Sequence, residues 1–150
     1  MDDSWYEERI LNRATKSSCY GNSVRHIAEI DELSVSSLYG QIPDGVNPVL
    51  LFGSVSKSWT VFGSRGVASF HGESVEVVEF QSGWKSIEFV LADDPDDDPD
   101  PRHRFEYLDV DGTKIWGPRR FGVALLASLF QSIERSGQYG PDGIEVNRAE

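Results

Sequence analysis

The sequence predicts an α+β fold: a seven-stranded antiparallel meander or partly open barrel between N-terminal helices and a C-terminal amphipathic helix. Three observations carry this. Between residues 49 and 117, seven short runs rich in β-branched and aromatic residues follow one another, separated by small residues. All but one of their links are too short for the crossovers of a dozen or more residues that parallel neighbours need. Directly afterwards, "GPRRFGVALLASLFQSIERSG" sets Phe121, Leu125, Leu129, Phe130 and Ile133 on one helical face, an apolar stripe that must be buried against the sheet. With 39% hydrophobic residues and four tryptophans in 150 residues, one respectable core can form, so residues 1–150 read as a single domain.

Residues 1–42 read as a helical segment. Ser4 and Glu7 have capping-box spacing, and Trp5, Ile10 and Leu11 suggest a short amphipathic helix. "TKSSCYGNS" breaks the pattern. From Ser23 to Ile42, Val24, Ile27, Ile30, Leu33 and Leu38 fit one helical face better than a strand, with Asn22 as cap. The serines at 34, 36 and 37 weaken the last turns, so the stretch reads as one or two helices. "PDGVNP" at 43–48 is turn chemistry.

The strands follow as "VLLFGSV", "SWTVFG", "GVASFH", "ESVEVVEF", "WKSIEFVLA", "RFEYLDV" and "TKIW". "GSRG" reads as a hairpin connection, and His71 with Gly72 as a tight turn in which Gly72 supplies a positive φ. The one long link, residues 93–101, carries six aspartates and three prolines. It lacks the glycine and distal glutamate of a calcium loop, and its like charges repel and stay solvated, so a mobile acidic loop is expected there. The last helix is expected over 118–136, with Pro118 in its first turn, and residues 137–150 as a loosely held tail whose "IEV" could pair briefly with a sheet edge.

"FEYLDVDGTKIWGP" contains Asp-x-Asp-Gly-Thr and so resembles the nucleophile motif of haloacid-dehalogenase-type phosphatases. That resemblance implies Asp109 as nucleophile and Asp111 as general acid, helped by a later lysine and an acidic pair holding magnesium on a parallel sheet. The chain departs from the pattern: no lysine follows Lys114, and no two acidic residues are adjacent after Asp111. A hairpin turn at Asp111 and Gly112 accounts for the neighbours instead. It pairs Val110 with Thr113, Asp109 with Lys114, Leu108 with Ile115 and Tyr107 with Trp116, putting apolar residues on one face and a charge pair beside an aromatic pair on the other.

The net charge of −11 argues against nucleic acid and against anionic membranes as partners, and favours a basic protein. No apolar run reaches the ~18 residues of a membrane helix, and the start "MDDSWYEERI" is unsuited to export, so a cytoplasmic location is expected. Cys19 is the only cysteine, and His26, His71 and His103 are scattered without zinc spacing. Neither a Walker loop nor Gly-x-Ser-x-Gly occurs. No metal, cofactor or catalytic residue is expected. Arg119 and Arg120, placed in the first turn of the last helix, oppose its dipole at a cost of about 0.3–1 kcal/mol each and call for an anion, either the aspartate-rich loop or a ligand. Lys114, Trp116, Arg119 and Arg120 are therefore the expected ligand-binding residues.

Seven antiparallel strands followed by one long helix, over about residues 49–136, resemble the pleckstrin-homology-like barrel in element order. That resemblance implies two near-orthogonal sheets closed at a corner by the helix, and a non-catalytic domain binding lipid headgroups, peptides or proteins. The first inter-strand loop, "SVSKS", carries only Lys57 where phosphoinositide binders concentrate basic residues, which points to protein rather than membrane. The expected function is a protein-binding or adaptor domain that uses a sheet edge or the helix–sheet groove. The alternative is an acidic immunity-type inhibitor of a basic toxin.

Overall fold

Among the described residues, eight strands pair into two antiparallel sheets. Seven are those marked by the sequence: β2 (Pro48–Gly53), β3 (Trp59–Gly63), β4 (Gly66–His71), β5 (Ser74–Glu79), β6 (Ile87–Leu91), β7 (Phe105–Val110) and β8 (Thr113–Trp116). The eighth, β1 (Val24–His26), adds to the edge of β2, giving a five-stranded sheet in the order β1-β2-β3-β4-β5 beside a three-stranded sheet β6-β7-β8. The described residues also form three α-helices: α1 (Asp3–Thr15), α2 (Glu32–Tyr39) and α3 (Gly122–Arg135). The computed structural model describes residues 3–92, 99–100, 103–119 and 121–135. Most of the expected acidic loop and the whole expected tail lie outside the described residues.

Among the described residues the two sheets do not close into a barrel through one continuous ladder; side chains stitch them together. Thr60 on β3 and Ser69 on β4 are fully buried, register partners, and 2.7 Å apart through their hydroxyls. Ser69 Oγ accepts the Trp116 N–H at 2.9 Å, and Thr60 Oγ1 donates to the Trp116 carbonyl. One position outward, a ring nitrogen of His71 lies 2.9 Å from the Lys114 carbonyl. Thus β8 lies across β3 and β4 with its backbone polar groups satisfied by side chains of the other sheet.

The central strands of the five-stranded sheet, β2, β3 and the first part of β4, are buried on both faces. Leu50, Phe52, Phe62, Val67 and Val78 join Leu108, Val110 and Ile115 of the smaller sheet, Tyr6, Ile10 and Ala14 of α1, and the apolar face of α3 in the main core. Phe62, Phe80, Trp84 and Phe130 form its aromatic centre, with ring centroids 5.2–5.9 Å apart. On the other face, Leu51, Trp59, Val61 and Ala68 pack under Leu38, Ile42 and Val46. Period-2 alternation along β2, β3 and β4 feeds these two cores in turn.

Three expectations about the helices need correction. Residues 23–42 are not one helical face: Val24 starts a strand, and α2 begins at Glu32, capped by Asp31 rather than Asn22. The Asp31 carboxylate accepts the Ser34 N–H at 2.9 Å and the Ser34 hydroxyl at 2.8 Å, which holds its pKa below the ordinary carboxylate value. The apolar residues of this stretch serve two different cores, Val24 the main one and Leu38 the outer one, while Leu33 is 85% exposed. Ser4 lies inside α1, so the expected capping box does not form. The N-terminal turn is held instead by Asp3, which receives Arg65 Nε and Nη2 at 2.9 and 2.8 Å and the Ser64 hydroxyl at 3.0 Å. Finally, Pro118 and Arg119 precede α3, so Arg119 does not sit in its first turn and the dipole conflict does not arise for it.

Candidate functional site

The hairpin at Asp111 and Gly112 forms in the expected register, with Tyr107 opposite Trp116, Leu108 opposite Ile115, Asp109 opposite Lys114 and Val110 opposite Thr113. Asp111 and Gly112 both take positive φ, 50° and 91°, as a type I′ turn requires, and Gly72 takes φ 70° in the β4–β5 turn. Both carboxylates of the Asp-x-Asp motif accept backbone N–H groups. Asp109 Oδ1 receives Gly112 N–H at 2.7 Å. Asp111 receives those of Lys85 at 2.7 Å and Ser86 at 2.8 Å, and these bonds, the Lys85 amide foremost, lower its pKa below the ordinary value. The lysine departs from its expected role as partner of Asp109: Lys114 Nζ lies over the Tyr107 ring, 5.5 Å from its centroid.

The expected ligand-binding residues are spread along β8 and the link after it. Lys114 is exposed beside Tyr107, whereas the Trp116 side chain lies against the backbone of Gly53 and donates Nε1–H to Glu106 Oε1 at 3.4 Å. Arg119 Nε lies 3.9 Å from the same Glu106 oxygen. Trp116 and Arg119 are therefore brought together through Glu106, with Lys114 apart from them. Arg120 lies outside the described residues. Among the described residues no group of three or more His, Cys, Asp or Glu side chains could hold a metal ion.

A second feature is more open. Strand β6 pairs with β7 on one side, and among the described residues its other edge has no strand partner. An edge of this kind presents unpaired backbone donors and acceptors. Ile87 and Phe89 stand opposite the buried Val110 and Leu108, so they point toward the same face. Phe89 is nevertheless 47% exposed and Leu91 48% exposed, and the Phe89 ring leans on Phe105 with centroids 5.1 Å apart. Beside them a groove of about 210 Å³ runs between β6 and α3, floored by Trp84, Ile87 and Ala127 and rimmed by Gln131 and Glu134. In sequence this site was legible as a strand, "SIEFVLA", with more apolar residues than a single buried face accounts for. Which ones stay exposed depends on the end of the sheet and the reach of α3, and local pattern does not encode that.

No protein-family model matches the chain, and no curated protein or solved structure matches it. Among the described residues no helix is long and apolar enough to cross a membrane.

Proposed function

We propose that this is a non-catalytic protein-binding domain of pleckstrin-homology-like organisation, which captures an extended segment of a partner along β6, beside α3. The observation carrying the reading is the juxtaposition of a strand edge without a strand partner among the described residues and two half-exposed apolar side chains, Phe89, which lines the neighbouring groove, and Leu91, further along the strand. A strand added there gains main-chain hydrogen bonds, while alternate side chains reach into the groove for specificity. The occupant fitting these features is an apolar stretch flanked by basic residues: Glu134 lines the groove, together with Lys85, and the net charge of −11 steers cations toward the domain. The element order β2–β5, β6–β8 and then α3 supports the architectural half of the proposal. Engagement of Asp109 and Asp111 by backbone amides supports the non-catalytic half.

The test is selection from a displayed peptide library on the whole domain. Enriched peptides should carry apolar residues at alternate positions with lysine or arginine beside them. Phe89→Ser and Leu91→Ser, both at half-exposed sites, should each weaken the selected peptide by about tenfold while the fold persists. Selected peptides that bind both variants as well as the unaltered chain would dismiss the proposal.

A further inference from the structure

We propose that the cleft between α1 and α3 binds a phosphate-bearing ligand, at a site separate from the β6 groove and on a different flank of α3. The helices run antiparallel here: Arg9 Nε donates to Ser132 Oγ at 3.0 Å, and one turn along, Arg13 Nη1 donates to Ser128 Oγ at 3.2 Å. Lys16, just past the end of α1, lines the same cleft. The Arg9 guanidinium also lies over the Trp5 ring, 5.0 Å from its centroid. Both guanidinium forks are thus held in place, yet each of the two bonds uses only one of five N–H donors.

The charge of this cleft is opposite to that of the chain. Three of the fourteen basic residues converge on it from eight consecutive positions, and among the described residues no carboxylate lines it. Among the described residues, Arg9, Arg13 and Lys16 form no ion pair, although the chain carries 25 acidic residues against 14 basic ones. Arg9 and Arg13 meet serine hydroxyls, which orient them without neutralising them. Two forks one helical turn apart, about 6 Å along the axis, suit the several oxygens of a phosphate or diphosphate, which arginine binds bidentately. Ser17, Ser18 and Asn12 add neutral donors at the rim.

The cleft is also larger than a lone anion needs. Its volume is about 670 Å³, with Phe121, Ala124 and Leu125 as an apolar wall, room for the organic body of a phosphate ester. The ligand's shared chemistry is a phosphate joined to an apolar or ring-bearing group, whether a soluble ester or the headgroup of a lipid.

Calorimetric titration of the full chain with inorganic pyrophosphate, at constant ionic strength and with acetate as the control anion, tests the site. Co-sedimentation with phosphatidylcholine vesicles, with and without a phosphoinositide, identifies the source of the phosphate. Saturable pyrophosphate binding is expected. It should weaken about three- to tenfold in Lys16→Gln and more than about tenfold in the Arg9→Gln, Arg13→Gln double variant, with Lys57→Gln on the β2–β3 turn unchanged. Sedimentation only with phosphoinositide vesicles assigns a lipid headgroup, and its absence alongside pyrophosphate binding assigns a soluble ester. Lys16 is exposed and makes no hydrogen bond in the cleft, so its variant carries the test even if the double variant fails to fold. Absence of both pyrophosphate and vesicle binding, or equal weakening by Lys57→Gln and Lys16→Gln, would overturn the proposal.

Discussion

The carboxylate of Asp111, at the tip of the β7–β8 hairpin, accepts the backbone N–H of Lys85 at 2.7 Å and ties that turn to the residues leading into β6. With the Ser86 N–H at 2.8 Å and its hydroxyl at 3.2 Å, one exposed side chain sets where the edge strand begins. Replacing Asp111 with Ala should lower stability by about 1–2 kcal/mol, since charge-assisted bonds to two amides are lost. A positive φ at a residue other than glycine adds a further small cost to Ala. Chemical denaturation measures the loss, and the amides of Lys85 and Ser86 should be the ones whose hydrogen exchange rises most.

The same bonds set an acid limb. Asp3 is held below the ordinary carboxylate pKa chiefly by its side-chain bonds to Arg65, and Asp111 by the backbone amide of Lys85. A folded-state pKa below the unfolded value near 3.9 means a stabilising contribution present in full above that value and lost as pH falls through the lower folded values. The stability difference between the unaltered chain and the Asp3→Asn, Asp111→Asn variant should therefore be constant above about pH 5 and shrink below about pH 4. A difference that stays constant into acid would contradict the assignment.

The stitch between the sheets yields a sharper loss. Ser69→Ala leaves the part-buried Trp116 N–H without its acceptor and removes the partner of the buried Thr60 hydroxyl. A cost of about 2–3 kcal/mol is expected from unmade buried bonds, far above the value for an exposed serine. Thr60→Val should cost about 1–2 kcal/mol, because the Trp116 carbonyl then lacks its donor. Thermal melts of the two variants check the order.

Gly53 is where β2 meets the Trp116 indole. A Cβ there would stand 2.5 Å from a ring carbon and 2.6 Å from the Ser58 carbonyl oxygen, and the residue holds φ at 86°. Gly53→Ala should destabilise by more than the roughly 1 kcal/mol of backbone strain alone, and it should shift the Trp116 fluorescence as the ring is displaced. An unchanged melt with unchanged emission would remove Trp116 from this corner.

Legibility in the sequence followed how local each cause is. The β7–β8 register could be written down in advance because Asp111-Gly112 demands a two-residue turn and Leu108, Val110 and Ile115 demand one face. Strand β1 escaped because three residues leave no period to detect, and Val24 alone fits a helix as readily as a strand. The roles of Thr60 and Ser69 escaped too: polar residues in a strand read as its solvent side, and only the crossing of a remote strand makes an inward hydroxyl useful. At the α1–α3 cleft the signal was present, since Arg9, Arg13 and Lys16 recur at helical spacing beside the buried stripe of Tyr6, Ile10 and Ala14. It becomes meaningful once α3 supplies serines in place of carboxylates.

Hydrogen exchange of the β6 amides, Ile87 to Leu91, with and without a library-selected peptide, tests the central claim most directly. Slow exchange should appear on alternate amides of β6 when the peptide is bound, as a new ladder covers the edge. Protection confined to α1 or to the outer face under α2, with β6 amides exchanging as before, would contradict it.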